Sequence, residues 1–265
     1  MTRAVWLTDI HLNFLTPVKL DKLFTLVNQT QPDYVLISGD ITEAPRLEWS
    51  LKLLEKRIRH PIYYVLGNHD YYSGSFDDVY ALARRINRAK GGLTWLSDGG
   101  ILELAAGVGL IGYDGWADGR CGDYEHSEIV MKDYLAIQDF RGLNKGERLH
   151  KLNQLGDATA AFLHEWLPKA FDQYATVVLL THVPPFRETC WHEGGISGDE
   201  WLPHFVCQAA GEALVEIMRR FPTKNLIVLC GHSHGRGEVH VMPNLKVLTG
   251  GAEYGRPEVQ QVFEW

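Results

Sequence analysis

Short runs of aliphatic and β-branched residues alternate with segments of helical periodicity along this chain, and that alternation restricts it to the α/β class rather than to an all-β or all-helical fold. Residues 4–8, 34–38 and 62–66 read as buried strands. Between the first two, Leu20, Leu23, Phe24 and Val27 fall at i, i+3, i+4 and i+7 on one helical face. Leu47, Leu51, Leu54 and Ile58 make a second apolar stripe. Ser75 with Asp78 resembles a helix-capping signal, and Phe76, Val79, Tyr80, Ala83 and Ile86 follow at helical spacing.

The middle of the chain is harder to read. Residues 101–104 and 108–112 look like strands, and 114–123 form a glycine-rich loop. From 127 to about 166 the pattern predicts one or two helices, with Val130, Tyr134 and Ile137 on one face and Leu155, Ala158, Phe162 and Trp166 on another. Pro168 is expected to end the second. The alternation resumes with a strand at 176–181, a long loop through Trp201, and a helix carrying Cys207, Ala210, Leu214, Ile217 and Phe221. A strand at 226–230 and three shorter ones near 238–242, 246–249 and 259–264 complete the reading. No repeat or linker interrupts it, so a single domain over 1–265 is expected, with a less assignable helical insertion or cap at about 113–175.

With 45% hydrophobic and 22% charged residues, the 265-residue chain can bury a sizeable core, which excludes a disordered or disulfide-built protein. Its 26 basic against 33 acidic residues leave a formal charge of -7, the wrong sign for bulk attraction to nucleic acid. The basic stretches at 56–59 and 84–90 are accordingly read as solvated faces of the helices that bury Ile58 and Ile86. Four cysteines without C-x-x-C spacing suggest a reducing compartment. No apolar run approaches the ~18 residues of a membrane span, and the chain enters its first strand pattern without a leader. The expectation is a cytoplasmic protein.

Metal-capable side chains sit directly after five of the apolar strands, where open α/β sheets place their ligands. Asp9-Ile10-His11 follows the first, Gly39-Asp40 the second and Gly67-Asn68-His69-Asp70 the third. His182 follows the strand at 176–181, and Gly231-His232-Ser233-His234 follows that at 226–230. The steps from Asp9 to Asp40 and from Asp40 to Asn68 each match the ~30 residues of one βαβ unit, which should align these groups along one sheet edge. A lone histidine after a strand is usually a structural, hydrogen-bonded residue. Five ordered motifs reverse that balance. Carboxylate, imidazole and amide oxygens without a thiolate cluster admit Mn, Fe, Zn or Mg.

This ordered set resembles the calcineurin-like metallophosphoesterase superfamily, whose signature is D-x-H, G-D, G-N-H-[DE], H and G-H-x-H. The resemblance implies a four-layer α/β/β/α sandwich of two mixed sheets flanked by helices. It further implies two divalent metal ions, with Mn or Fe preferred: Asp9, His11 and His234 hold one, Asn68, His182 and His232 the other, and Asp40 bridges them. The implied chemistry is attack on a phosphate ester by a metal-bridging hydroxide, with His69 as general acid and Asp70 helping to orient it. Substrate class stops at phosphoric esters. A small phosphodiester is slightly preferred, ahead of a phosphomonoester or a nucleotide pyrophosphate, and nucleic acid is disfavoured by the negative charge.

Competing readings are weaker. Gly231-His232-Ser233-His234-Gly235 also matches the G-x-S-x-G elbow of serine hydrolases, but Glu238 and His240 follow too closely to serve as triad members on separate loops. A non-catalytic protein-binding scaffold on the same fold is the alternative of another class, and it would be expected to have lost ligand positions that are intact here. Trp116 and Arg120 on the glycine-rich loop, and Trp191 and His192 beyond Pro184-Pro185, are the expected substrate contacts, because both loops leave strands that end at the site.

Overall fold

A computed structural model describes residues 1–89 and 91–265; Lys90, the last member of one basic stretch, lies outside the described residues. The first half alternates as the pattern predicts: β1 (Arg3–Leu7), α1 (Pro17–Gln29), β2 (Tyr34–Ser38), α2 (Ala44–Arg57), β3 (Ile62–Val65), α3 (Phe76–Arg88) and β4 (Leu93–Trp95). Local chemistry sets the helix starts. The Thr16 side chain accepts from Lys19 N with Pro17 in the first turn, and Ser75 Oγ accepts from Asp78 N. The second half contains β5 (Leu102–Ala105), β6 (Val108–Gly112), α4 (Asp133–Ala136), α5 (Lys145–Gln173), β7 (Thr176–Leu180), β8 (Trp191–His192) and β9 (Gly195–Ile196). It ends with α6 (Leu202–Phe205), α7 (Gln208–Arg220), β10 (Asn225–Cys230), β11 (Gly237–Met242), β12 (Leu245–Thr249) and β13 (Gln261–Glu264).

Two large mixed sheets result. One has the order β13-β1-β2-β3-β4, the other β11-β12-β10-β7-β6-β5. Successive residues of a strand point to opposite faces, so Trp6, Leu36 and Val65 of the first sheet meet Leu110, Val178 and Leu229 of the second between the sheets. Their neighbours Val5, Val35 and Tyr64 face outward onto Phe24, Leu51 and Val79 of α1, α2 and α3. On the far side, Val177, Leu179 and Val228 pack on Phe171 of α5 and on Leu214 and Ile217 of α7. Helix, sheet, sheet, helix is thus the layer order, and burial on both faces explains why the strands read as continuous apolar runs.

Two details, at Pro168 and at β4, depart from the sequence reading. Pro168 lies inside α5, which runs on to Gln173. Proline removes one backbone bond and costs about 3 kcal/mol in a helix interior, but Leu167, Ala170 and Phe171 around it are fully buried against the second sheet, and that packing outweighs the break. Within the segment 113–175 the long helix joins an outer layer and shorter elements join a core. α5 is itself an outer-layer helix beside α7, and Tyr134, Phe140 and Leu152 join the core of the first sheet. β4, only three residues long with Thr94 between Leu93 and Trp95, escaped the apolar-run criterion.

Candidate metal centre

Parallel register between β1, β2 and β3, and between β7 and β10, delivers their carboxyl ends to one edge of the sandwich. The turns beyond them are tied together, with Asp9 N donating to Gly39 O at 3.1 Å and His11 N to Asp40 O at 3.0 Å. Among the described residues eight non-glycine positions have positive φ, and five of these are Asp9, His11, Asp40, His232 and His234. Such backbone costs on the order of 1–3 kcal/mol per residue and persists where surrounding structure enforces it, most often at functional sites. Close approach is also built in: a Cβ on Gly67 would overlap the Asp40 carboxylate, and one on Gly231 that of Asp9.

Ligand atoms of Asp9, His11, Asp40 and His234 lie within 4.8 Å of one another. His11 Nε2 is 3.4 Å from His234 Nε2 and 3.7 Å from Asp40 Oδ2, while His234 Nε2 is 3.4 Å from Asp9 Oδ1. A second cluster shares Asp40, whose Oδ1 is 3.4 Å from His182 Nε2. Hydrogen-bond accounting fixes its protons. His182 Nδ1 lies 2.8 Å from the Ser38 carbonyl and His232 Nε2 3.0 Å from the His204 carbonyl, so both nitrogens must donate. Burial, the largest effect on each ring, holds both imidazoles neutral, His232 at about 4. Their remaining nitrogens, His182 Nε2 and His232 Nδ1, therefore carry lone pairs. Both aim at Asn68 Oδ1, at 3.0 and 2.9 Å.

Three lone pairs converging on one point repel one another unless a cation lies among them, so this donor set fits a divalent ion. The first cluster fits as well. Burial pushes His11 down to about 3, leaving a neutral donor. Burial raises the Asp9 carboxyl, but the bond and charge of His234, with His182 and His11, outweigh it and hold Asp9 below the usual range. Asp40 is pushed well above that range by burial and then by the Asp9 and Asp70 charges, repulsions that cations would relieve.

The other expected site residues divide. His69 reaches the cluster, with Nε2 3.9 Å from Asp40 Oδ2 and its ring stacked on Tyr72 at a centroid distance of 4.2 Å. Asp70 makes no direct bond to that ring: its carboxylate accepts from Ile41 N, Thr42 N and Gly67 N at 2.8–3.3 Å, fastening the β2 and β3 turns together. Trp116 is corrected from substrate contact to core, 6% exposed and packed against Tyr71, Phe76 and Phe140. Arg120 is not part of the lining of the cavity beside the cluster either: its half-buried guanidinium pairs with Asp118 and Asp157. Trp191 is set against Gly235 and Gly237, where any Cβ would collide with it, and is not among the residues lining the cavity beside the cluster. His192 does line that cavity, with Nδ1 2.9 Å from Ser233 O.

This cavity, of about 560 Å³, is also walled by Phe14, Tyr72, Met131, Lys132, Phe205 and Tyr254, none of which the sequence reading singled out. Tyr254 Oη is 3.5 Å from His69 Nε2. Its signal was available: Gly250-Gly251-Ala252-Glu253-Tyr254 follows β12 just as the metal-capable motifs follow their strands.

A two-sheet sandwich thus gathers Asp, His and Asn donors at its strand ends, a donor set that fits divalent metal. The chain belongs to the calcineurin-like phosphoesterase family, whose profile matches residues 2–236. It is 35% identical over 116 residues to an uncharacterized metallophosphoesterase of Campylobacter jejuni, an overlap of 42% of this chain and 31% of that one. It is also 35% identical over 89 residues to a transmembrane protein with metallophosphoesterase domain from Bos taurus, covering 32% and 20% of the two chains. The matches thus span less than a third of either relative. Among solved structures the fold is similar to phosphopantetheinyl hydrolase of Mycobacterium tuberculosis, with TM-score 0.66 and 17% identity over 96% of this chain and 90% of that one. A dimetal phosphatase of Danio rerio gives TM-score 0.54 and 14% identity over 94% and 87%. Among the described residues no helix is long and apolar enough to cross a membrane.

Proposed function

We propose that this chain, as one catalytic domain, hydrolyses a small phosphodiester with two divalent cations, Mn or Fe. Asp9, His11 and His234 would hold one, Asn68, His182 and His232 the other, and Asp40 both. The observation that carries this reading is the convergence of the His182 and His232 lone pairs on Asn68 Oδ1. When bound, such a cation pair supplies Lewis acidity that lowers the pKa of water and neutralises phosphate charge. A small substrate is favoured by a cavity of about 560 Å³ whose lining contains one lysine, Lys132, and no arginine. Four buried, unpaired cysteines support a cytoplasmic setting. Metal content and turnover of bis(p-nitrophenyl) phosphate with added Mn test the proposal. Bound metal with chelator-sensitive hydrolysis supports it, whereas absence of both favours a scaffold. Hydrolysis of monoesters but not diesters would overturn the substrate class.

His69 is the proton donor of this reading. Its ring faces the cavity beside Asp40, held between Tyr72 and Tyr254. Burial, then the neighbouring His11 and His182, pushes its imidazole down to about 2 in the free chain. A bound phosphate anion acts in the opposite direction and favours the protonated ring, from which Nε2 would pass its proton to the leaving oxygen. His69→Ala is expected to slow alkyl esters about 10²–10³-fold and activated aryl esters far less. Equal losses on both, with metal content intact, would remove His69 from the role.

A further inference from the structure

We propose that Asp133 is a positioning residue that fixes the Asn68 side-chain amide with its oxygen toward the cation site. This rests on the reading of that site given above. An asparagine amide is nearly symmetric in shape, and turned over it would present its NH2 to the lone pairs of His182 Nε2 and His232 Nδ1. Those contacts would be good hydrogen bonds, and they would close the site to a cation. Something must hold the amide the other way.

Asp133, 4% exposed, lies behind Asn68 in α4, far from the five motifs in sequence. Its Oδ1 accepts from Asn68 Nδ2 at 2.8 Å and from Tyr72 Oη at 2.6 Å. Since the Tyr72 proton is given to Asp133, the Tyr72 oxygen is left to accept from Asn68 Nδ2, at 3.3 Å. Both groups behind the amide are therefore acceptors. A carboxylate offers no donor, so an inverted Asn68 would set its oxygen against two acceptors, one of them anionic, in a buried pocket. The same segment places Met131 and Lys132 in the cavity wall. The stretch that the sequence left least assigned thus supplies both a wall of the cavity and the lock on one of its donors.

The test is Mn titration of the full chain, read as stoichiometry and affinity, with thermal melting of the metal-free protein alongside. Asp133→Leu is expected to weaken the second equivalent about 10–100-fold, the usual effect of removing an outer partner of a ligand. The metal-free melt should change little, because the freed amide can turn to donate to the two histidines. The double variant Asn68→Asp with Asp133→Asn exchanges the two groups. The carboxylate now at position 68 offers an oxygen in either orientation, the amide now at position 133 can donate to its other oxygen, and tight binding of the second equivalent should return. Unchanged affinity in Asp133→Leu, or a double variant that binds no better than it, would overturn the inference. If Asp133→Leu does not fold, the double variant decides alone: wild-type affinity supports the exchange and loss of the second equivalent refutes it. A wild-type chain that takes up no metal would instead defeat the reading of the site itself.

Discussion

Asp40→Asn is expected to lower phosphodiester turnover by about a thousandfold or more and to reduce bound Mn from two equivalents to at most one. The size of the effect follows from where this carboxylate stands. Oδ1 accepts from His69 N at 2.9 Å and lies 3.4 Å from His182 Nε2, while Oδ2 lies 3.7 Å from His11 Nε2 and 3.9 Å from His69 Nε2. One side chain therefore touches both donor clusters and the proposed acid. The substitution would remove one of the two anions, the other being Asp9, from the residues proposed to hold the cations, and it sets amide hydrogens against one of the donor sets. Loss of fold does not confound the result. Asp40 has φ of 54°, a left-handed conformation that asparagine tolerates well, and the amide oxygen can still accept from His69 N. Elemental analysis with steady-state kinetics on the same preparation checks both halves. Two equivalents of metal with near-normal turnover would mean that the clusters are not bridged by this residue.

The metal-capable residues were legible because each one follows a strand buried on both faces. An apolar run such as Val35-Leu36-Ile37 announces the strand, and the first polar residue beyond it marks the sheet edge, so the position of Asp40 is a local property of sequence. The wall of the cavity is not local. Lys132 precedes and Phe205 ends a short helical segment, and the placement of both depends on partners far along the chain, such as Tyr134 Oη 2.6 Å from His204 Nδ1 and Asp123 N donating to Asp199 O. Neither Lys132 nor Asp133 has a periodic pattern to announce it. Trp116 shows the converse error. A tryptophan on a glycine-rich loop looks like a ligand contact, but its environment is made by Tyr71, Phe76 and Phe140, two of which precede it by 40 residues or more. Arg120 follows the same logic, since a buried Asp118 needs a cation more than a distant phosphate does.

The largest stability effect is expected at Asp114, outside the catalytic proposal. Asp114→Ala should cost about 3–5 kcal/mol, the sum of a few unsatisfied buried donors, roughly 10 °C of melting temperature in a chain of this size. Asp114 follows β6 in the second sheet, 5% exposed, and its carboxylate reaches across to the first. Oδ1 accepts from Leu66 N at 2.8 Å, Trp95 Nε1 at 2.9 Å and Ser97 Oγ at 2.5 Å, and Oδ2 accepts from Tyr71 Oη at 2.8 Å. Burial raises its pKa, and these four donors pull against that rise. Removing the carboxylate strands three buried donors, on Leu66, Trp95 and Tyr71, together with the half-buried Ser97, and an unmade buried bond costs the full desolvation of the group. Its backbone oxygen accepts from His182 N at 2.8 Å, so the same loop also steadies a proposed ligand. Urea unfolding should show a lower midpoint with an unchanged slope, the mark of altered stability rather than an altered unfolded state. Asp114→Asn, which keeps one acceptor oxygen, should fall between. A midpoint for Asp114→Ala equal to that of the wild type would mean that water satisfies those donors and that apolar packing alone holds the two sheets together.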